Sequence, residues 1–299
     1  LTNGTTNSCF LPPIHKIQVD NIKQNPKGLH NTPEKKEQRA MMLRGEKPEG
    51  CSYCWNIEKM DRSFNSDRHY RSSEPWAQAG WDDVLDKGAE GDIEPRFMEI
   101  NFNHACNLAC SYCSPHLSSK WAEDIEQHGP YPTKVPHNSI DYFKQIKQYP
   151  IPNREHNPYV EAFWEWWPEL YPKLKNFRMT GGEPLMDKNT FKVLDYVIDN
   201  GRDDLEMAVT TNASVPDKLW NNFVDKVSFI SEYKKLKRFR IFVSVDGWGE
   251  QAEYMRHGLD FDRMWNNVHN YLSRVDEGLV TFIVTFNMLS LPSIQKLLE

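Results

Sequence analysis

No unbroken apolar run in this sequence approaches the ~20 residues that a membrane-spanning helix needs, so the patterning gives no reason to expect a membrane partner. The opening LTNGTTNSCF has neither the basic stretch nor the apolar stretch of a secretory leader. Positive charge is not in excess: 36 Lys and Arg stand against 42 Asp and Glu, a formal charge of −6, which disfavours nucleic acid as a partner held by bulk charge. The one basic run, Lys234, Lys235, Lys237, Arg238 and Arg240, reads as a solvated connection. Cysteine is sparse as well, six in 299 residues, too few for a disulfide scaffold. Repeats and low-complexity tracts are absent. What is present suits one large α/β domain with an appendage, or two ordinary domains.

From about residue 96 the chain alternates β-rich runs with helical patterns. Strands are expected at 96–102, 176–180, 205–211, 238–245 and 279–286, rich in Val, Ile, Phe and Thr. Between them, Phe191, Leu194 and Ile198 follow an N-cap candidate, Asp187; Leu219, Phe223, Val227 and Ile230 follow Pro216; Phe261, Trp265, Val268 and Leu272 form a third apolar face. Right-handed βα crossovers then curl a parallel sheet into a partial (β/α)6 TIM-like barrel, with function on the loops at the strand C-terminal ends. About five βα units are legible in 96–299. The short helix begun by PSIQKLLE gives the C-terminal part a truncated look.

Two regions depart from that repeat. A helical insertion is expected at 114–175, where Asn157-Pro158 opens a helix with Val160, Phe163, Trp164, Trp167, Leu170 and Tyr171 at helical spacing, a stripe that serves as core or as a docking face. Residues 1–95 form a separate irregular N-terminal region. It is polar and Pro-broken, only Pro33 to Leu43 looks helical, and bound metal is an available staple.

The six cysteines fall into two groups of three, Cys9, Cys51, Cys54 and Cys106, Cys110, Cys113, a distribution that suggests metal ligation in a reducing, cytoplasmic setting. Strand one runs directly into CNLACSYC, so the second triad stands at a strand C-terminal end. Three thiolates at x3 and x2 spacing can each take one corner of a cubane and leave the fourth iron open to a substrate or cosubstrate; a closed zinc or electron-transfer site wants four ligands.

This Cys-x3-Cys-x2-Cys, with Tyr112 before its last cysteine, resembles the signature of the radical S-adenosylmethionine (radical SAM) superfamily. GGEP at 181–184, TTN at 210–212 and SVDG at 244–247 follow strands two, three and four in the order that family shows. The N-terminal part, with CFLP at 9–12, LRGEKPEGCSYCW at 43–55, and then SSKW at 118–121, is similar to twitch-domain radical SAM proteins. The resemblance implies a [4Fe–4S] cluster on Cys106, Cys110 and Cys113 whose open iron chelates SAM. One-electron cleavage, its electron supplied by a low-potential donor such as flavodoxin or ferredoxin, would then give a 5′-deoxyadenosyl radical that is spent on a peptide, protein or small-molecule substrate. Gly181 and Gly182 would let backbone pass close to the ligand, and Glu183 would accept from the methionyl ammonium. Thr210 and Asn212, and Ser244 and Asp246, would point into the mouth toward ribose and carboxylate, with Tyr112 against adenine.

The first triad, Cys9, Cys51 and Cys54, is one ligand short of a closed site. A tetrahedral Cys3His zinc with His15 or His30, an auxiliary Fe–S cluster as the twitch resemblance suggests, and three buried thiols are the readings it admits. His104 is placed to tune the cluster or to bond within its loop, and Trp248 to pack or to meet substrate. The competing functional class is a non-catalytic Fe–S or zinc-binding interaction module that keeps the fold.

Overall fold

The computed structural model describes residues 1–9, 12–60, 65–134 and 139–299. Phe10 and Leu11 of the CFLP segment lie outside the described residues. By internal contacts the chain divides into two compact units, one of residues 1, 3–98 and 157–176, the other of residues 2, 99–156 and 177–299.

The second unit is an α/β structure built on a five-stranded parallel sheet, consistent with a partial barrel. Its strands are β1 (Phe97–Asn101), β2 (Asn176–Thr180), β3 (Arg202–Thr211), β4 (Leu236–Ser244) and β5 (Leu279–Ile283), laid side by side in chain order. The three covering helices are α1 (Lys188–Asp199), α2 (Asp217–Glu232) and α3 (Phe261–Arg274). Strand alternation decides which face they cover. Leu205, Met207, Val209 and Thr211 of β3 and Phe239, Ile241 and Val243 of β4 are buried, while the residues between them are half-buried or exposed. Phe239 meets the Phe223 ring of α2 at 6.0 Å, and Tyr271 of α3 stacks on Phe223 at 6.3 Å, so this face lies under the helices. The opposite face carries Glu206, Thr210, Arg240, Phe242 and Ser244, a polar inner surface.

Asp187 caps α1, accepting from Asn189 N at 2.7 Å, as its position predicts. The apolar face of α3 differs from the expected one. Phe261, Met264, Val268 and Tyr271 are buried and Leu272 is 48% exposed, because the buried stripe runs through i, i+3, i+7 and i+10, to one side of the expected i, i+4, i+7 and i+11 row. Strand β5 ends at Ile283, three residues before the expected limit.

The first unit is more helical than its composition suggests. Beside Pro33–Leu43, short helices run over Val19–Gln24, Ser52–Met60, Asp67–Ser72, Pro75–Gln78 and Trp81–Lys87. The aromatic helix, Pro158–Leu170, is its centre: Tyr159, Phe163, Trp166, Trp167 and Leu170 are buried, so its stripe is core. Gly4, at φ +68°, lies against the Tyr159 ring, where any Cβ would collide. Polar groups fasten the rest. Buried Asn31 accepts from Ile93 N at 2.9 Å and donates to Ile93 O at 3.1 Å, Arg39 donates to Gly91 O at 2.7 Å, and Glu94 takes Lys27 and Lys87 at 3.0 and 2.8 Å. Burial pushes the Glu94 carboxyl up, and the hydrogen bonds from the two lysines bring it below its usual range.

Phe223 is fully buried between β4 and α3. Replacing it with Ala should lower the stability of the sheet-bearing unit by about 3–5 kcal/mol, read as a lower urea midpoint of the parallel-sheet unit, with an unchanged slope.

Candidate active site at the strand C-terminal ends

Beyond β1 the regular structure described before the helix Ser119–His128 is the two-residue strand Ala109–Cys110, yet polar groups along the loop are held from several sides. Ser118 Oγ donates to Leu108 O at 2.7 Å, Ser119 Oγ accepts from Cys106 N at 3.1 Å, and the Trp121 indole donates to Cys110 O at 2.7 Å. SSKW is therefore the brace of the cysteine loop. On the far side Ala109–Cys110 pairs antiparallel with Arg256–His257, and Ser111 N donates to Met255 O at 2.8 Å.

The GGEP turn presses on the root of the same loop. A Cβ on Gly182 would fall 2.7 Å from the His104 carbonyl oxygen and closer still to that of Ala105, and one on Gly181, at φ +129°, would run into Asn101 Oδ1 and Asn103 O. The two glycines let backbone meet backbone, and Glu183 N seals the contact by donating to Ala105 O at 2.7 Å. His104 itself is buried, and among the described residues its Nδ1 has no hydrogen-bond partner.

Glu183 is 1% exposed and spends both carboxylate oxygens on the chain's own donors: Leu185 N at 3.1 Å and Thr211 Oγ at 2.8 Å on one, Asn212 N at 2.7 Å on the other. Burial outweighs these bonds and pushes the carboxyl up to about 7. It holds the turn after β3, where Ala213 takes a left-handed φ of +52° and is fixed by Thr211 Oγ at 2.9 Å and by Asn267 at its carbonyl. Asn212 donates to Asn107 Oδ1 at 2.9 Å, which ties that turn to the cysteine loop. Thr210 lies on the inner face, its hydroxyl accepting from Arg178 Nε and Nη2 at 3.0 and 2.8 Å. Ser244 is half-buried at the end of β4, opposite Ile283.

Asp246 is wholly buried, accepting from Thr285 N at 2.7 Å, from Arg256 Nε at 2.7 Å and from the Tyr112 hydroxyl. Tyr112 thus links SVDG to the cysteine loop, with its ring 45% exposed. Trp248 packs among Phe261 at 5.0 Å and Trp265 at 5.1 Å, as a core aromatic would.

Burial raises the Cys106 and Cys110 thiols to about 11 and raises Cys113 as well, and neighbouring thiols of the triad add to each shift. Two donors oppose it: Leu108 N lies 3.5 Å from Cys106 Sγ and Arg256 Nη1 3.8 Å from Cys110 Sγ. Donors aimed at sulfur suit thiolate ligands, so this chemistry fits an iron–sulfur cluster, whose binding displaces the thiol protons. Among the described residues no three His, Cys, Asp or Glu side chains converge as a single ion would need; a cubane takes each thiolate on a separate iron.

The sequence profile of the radical SAM superfamily matches residues 100–299, the stretch that holds this loop and the three turns facing it. The chain belongs to the radical SAM superfamily. A [4Fe–4S] cluster and SAM are the cofactors that membership implies. Among solved structures it is similar to anSMEcpe with bound AdoMet (17% identity, TM-score 0.35, covering 60% of this chain and 41% of that one). It is also similar to Streptococcus suis SuiB bound to S-adenosylmethionine (14%, 0.42, 89% and 52%) and to SuiB bound to the precursor peptide SuiA (13%, 0.40, 88% and 48%). The chain thus spans about half or less of those proteins' length. No curated protein matches it. Among the described residues no helix is long and apolar enough to cross a membrane.

Arg256, Thr211, Asn107 and the Ser118–Ser119 pair hold much of this candidate site together, in roles that the sequence does not show. Ser118 and Ser119 lie in SSKW and Thr211 in TTN, where the residue types do not show which bonds they make; Arg256 is a lone arginine whose two-residue strand has no periodicity to read.

A carboxyl that holds its proton more tightly folded than unfolded favours the folded state at low pH. The Glu183 contribution is full below about 4.5 and is lost as pH rises through about 7. Urea midpoints measured across that window should decline more in the parent than in Glu183→Gln, which has no proton to lose; parallel profiles would contradict the assignment.

Proposed function

We propose that this chain is a radical SAM enzyme that binds a [4Fe–4S] cluster through Cys106, Cys110 and Cys113 and SAM across the ends of β2, β3 and β4. The observation that carries the reading is the braced loop: three thiols after a parallel strand, two with donors aimed at sulfur, facing three turns that close on it. When bound, cluster and SAM supply one-electron cleavage of the sulfonium to a 5′-deoxyadenosyl radical. The chain's part is to place SAM and keep water from it. Gly181 and Gly182 set the GGEP turn on the loop, while Glu183 and Asp246, both saturated by internal donors, shape the SAM site through the turns they hold. Thr210, Asn212 and Ser244 offer polar groups at the strand ends, and the half-exposed Tyr112 ring offers a face for adenine. A flavodoxin or ferredoxin would deliver the electron, and a peptide, protein or other cellular molecule would be the substrate.

Anaerobic reconstitution should give a brown protein that releases 5′-deoxyadenosine from SAM under dithionite, read by chromatography. Cys106→Ala, Cys110→Ala and Cys113→Ala should each abolish that release and the cluster's iron; a parent that takes up no iron defeats the proposal, and a cluster indifferent to SAM by EPR points to a non-catalytic module.

The first triad is proposed as a second metal centre, an auxiliary Fe–S cluster or a zinc whose ligands would close on it only with the metal bound, since no three such side chains converge on one point among the described residues. Cys51 lies close enough to Cys9 and Cys54 for both to push its thiol up, after burial, while Cys54 is buried in the helix Ser52–Met60. His15 is bonded to Thr32 at 2.7 Å and His30 to Lys35 at 3.4 Å, so each of the two histidines proposed as a fourth ligand has another partner. A Cys51→Ala/Cys54→Ala double variant should lose one zinc, or about one cluster's iron, by metal analysis while the SAM cluster is kept. Unchanged metal content would reduce the triad to thiols.

A further inference from the structure

Arg256 is a cation in an unusual place, its side chain 9% exposed and set between groups of two motifs, SVDG and the cysteine loop. Nε meets Asp246 Oδ2 at 2.7 Å, Nη1 reaches Cys110 Sγ at 3.8 Å, and the guanidinium lies 5.6 Å from the Tyr112 ring centre. The sulfur contact follows from backbone pairing. Cys110 and Arg256 are Cα partners in the antiparallel ladder, so their side chains leave the ladder on the same side. Only a forked donor can serve the carboxylate and the sulfur at once; a lysine at this position brings charge without the fork. Asp246 already accepts from Thr285 N and the Tyr112 hydroxyl, so its own hydrogen bonding does not require a buried arginine.

We propose that Arg256 is a positioning residue that sets the reduction potential of the SAM cluster through Cys110 Sγ. The inference rests on the reading that Cys106, Cys110 and Cys113 are that cluster's ligands. A cluster gains one negative charge on reduction, and hydrogen bonds to its sulfurs and net charge nearby set how readily it does so. A buried guanidinium at a ligand sulfur favours the reduced form, and water screens it little in so enclosed a place. Asp246 works against it and holds it in position. The pair therefore fixes both the size of the effect and the geometry of the contact.

The test is an EPR-monitored redox titration of the reconstituted protein without SAM, so that substrate and turnover do not enter. In Arg256→Gln the ratio of reduced to oxidised cluster at a given potential should fall about tenfold, ~59 mV lower for one electron. Arg256→Lys should recover part of that shift, and Asp246→Asn should move the potential the other way. Arg256→Gln with full iron content and the parent's potential overturns the proposal. If that variant takes up no iron, Asp246→Asn decides: an unshifted or lowered potential overturns it. A parent that binds no iron defeats the cluster reading, and this inference with it; a parent with a cluster and an Arg256→Gln variant of equal potential defeats the inference alone.

Discussion

Three thiols have to be held in one place by a loop that makes almost no regular hydrogen bonds of its own, and the rest of the sheet-bearing unit is arranged around that constraint. Unpaired backbone groups in a buried loop are costly, so each must find a partner. The carbonyls of Cys110 and Leu108 are met by Trp121 and Ser118, that of Ala105 by Glu183 N, and Ser111 N is met by Met255 O. The partners come from a helix start, a turn after β2 and the last residue of the helix Glu250–Met255. None of these is close to another in sequence.

The buried acids serve the same end. Glu183 and Asp246 are the acids that ligand chemistry would be expected to use, yet each accepts three hydrogen bonds from the protein itself. Their work is to fix turns: Glu183 holds the left-handed bend at Ala213, and Asp246 gathers Tyr112, Arg256 and Thr285 at the end of β4. The groups that the proposed site would turn toward a cofactor are then the milder ones, Thr210, Ser244 and the Tyr112 ring. Strain and desolvation are confined to residues that the fold over-determines.

The first unit meets its entropy cost differently. Outside the aromatic helix Pro158–Leu170 its apolar burial is modest, and long-range bonds such as Asn31 to Ile93 and Lys27 to Glu94 join segments more than sixty residues apart. The metal proposed at Cys9, Cys51 and Cys54 would therefore be an addition to a polar framework that already stands.

The sequence by itself determined the parallel-sheet class, the five strands to within a few residues, the helix Pro33–Leu43 to its ends and the position of three thiols after the first strand. Those features rest on local chemistry: β-branched runs, prolines at helix starts, cysteines at fixed spacing. Five short helices in the first ninety residues escaped because a helix of two turns shows too little periodicity. Only the tertiary structure decided that Gly181 and Gly182 meet the cysteine loop's backbone, that Thr211 rather than Thr210 bonds Glu183, and that Arg256 stands at Cys110. Strand alternation offers two faces and does not say which one the helices cover, and a cross-strand pair of two residues leaves no pattern along the chain. Both are settled only when distant segments pack.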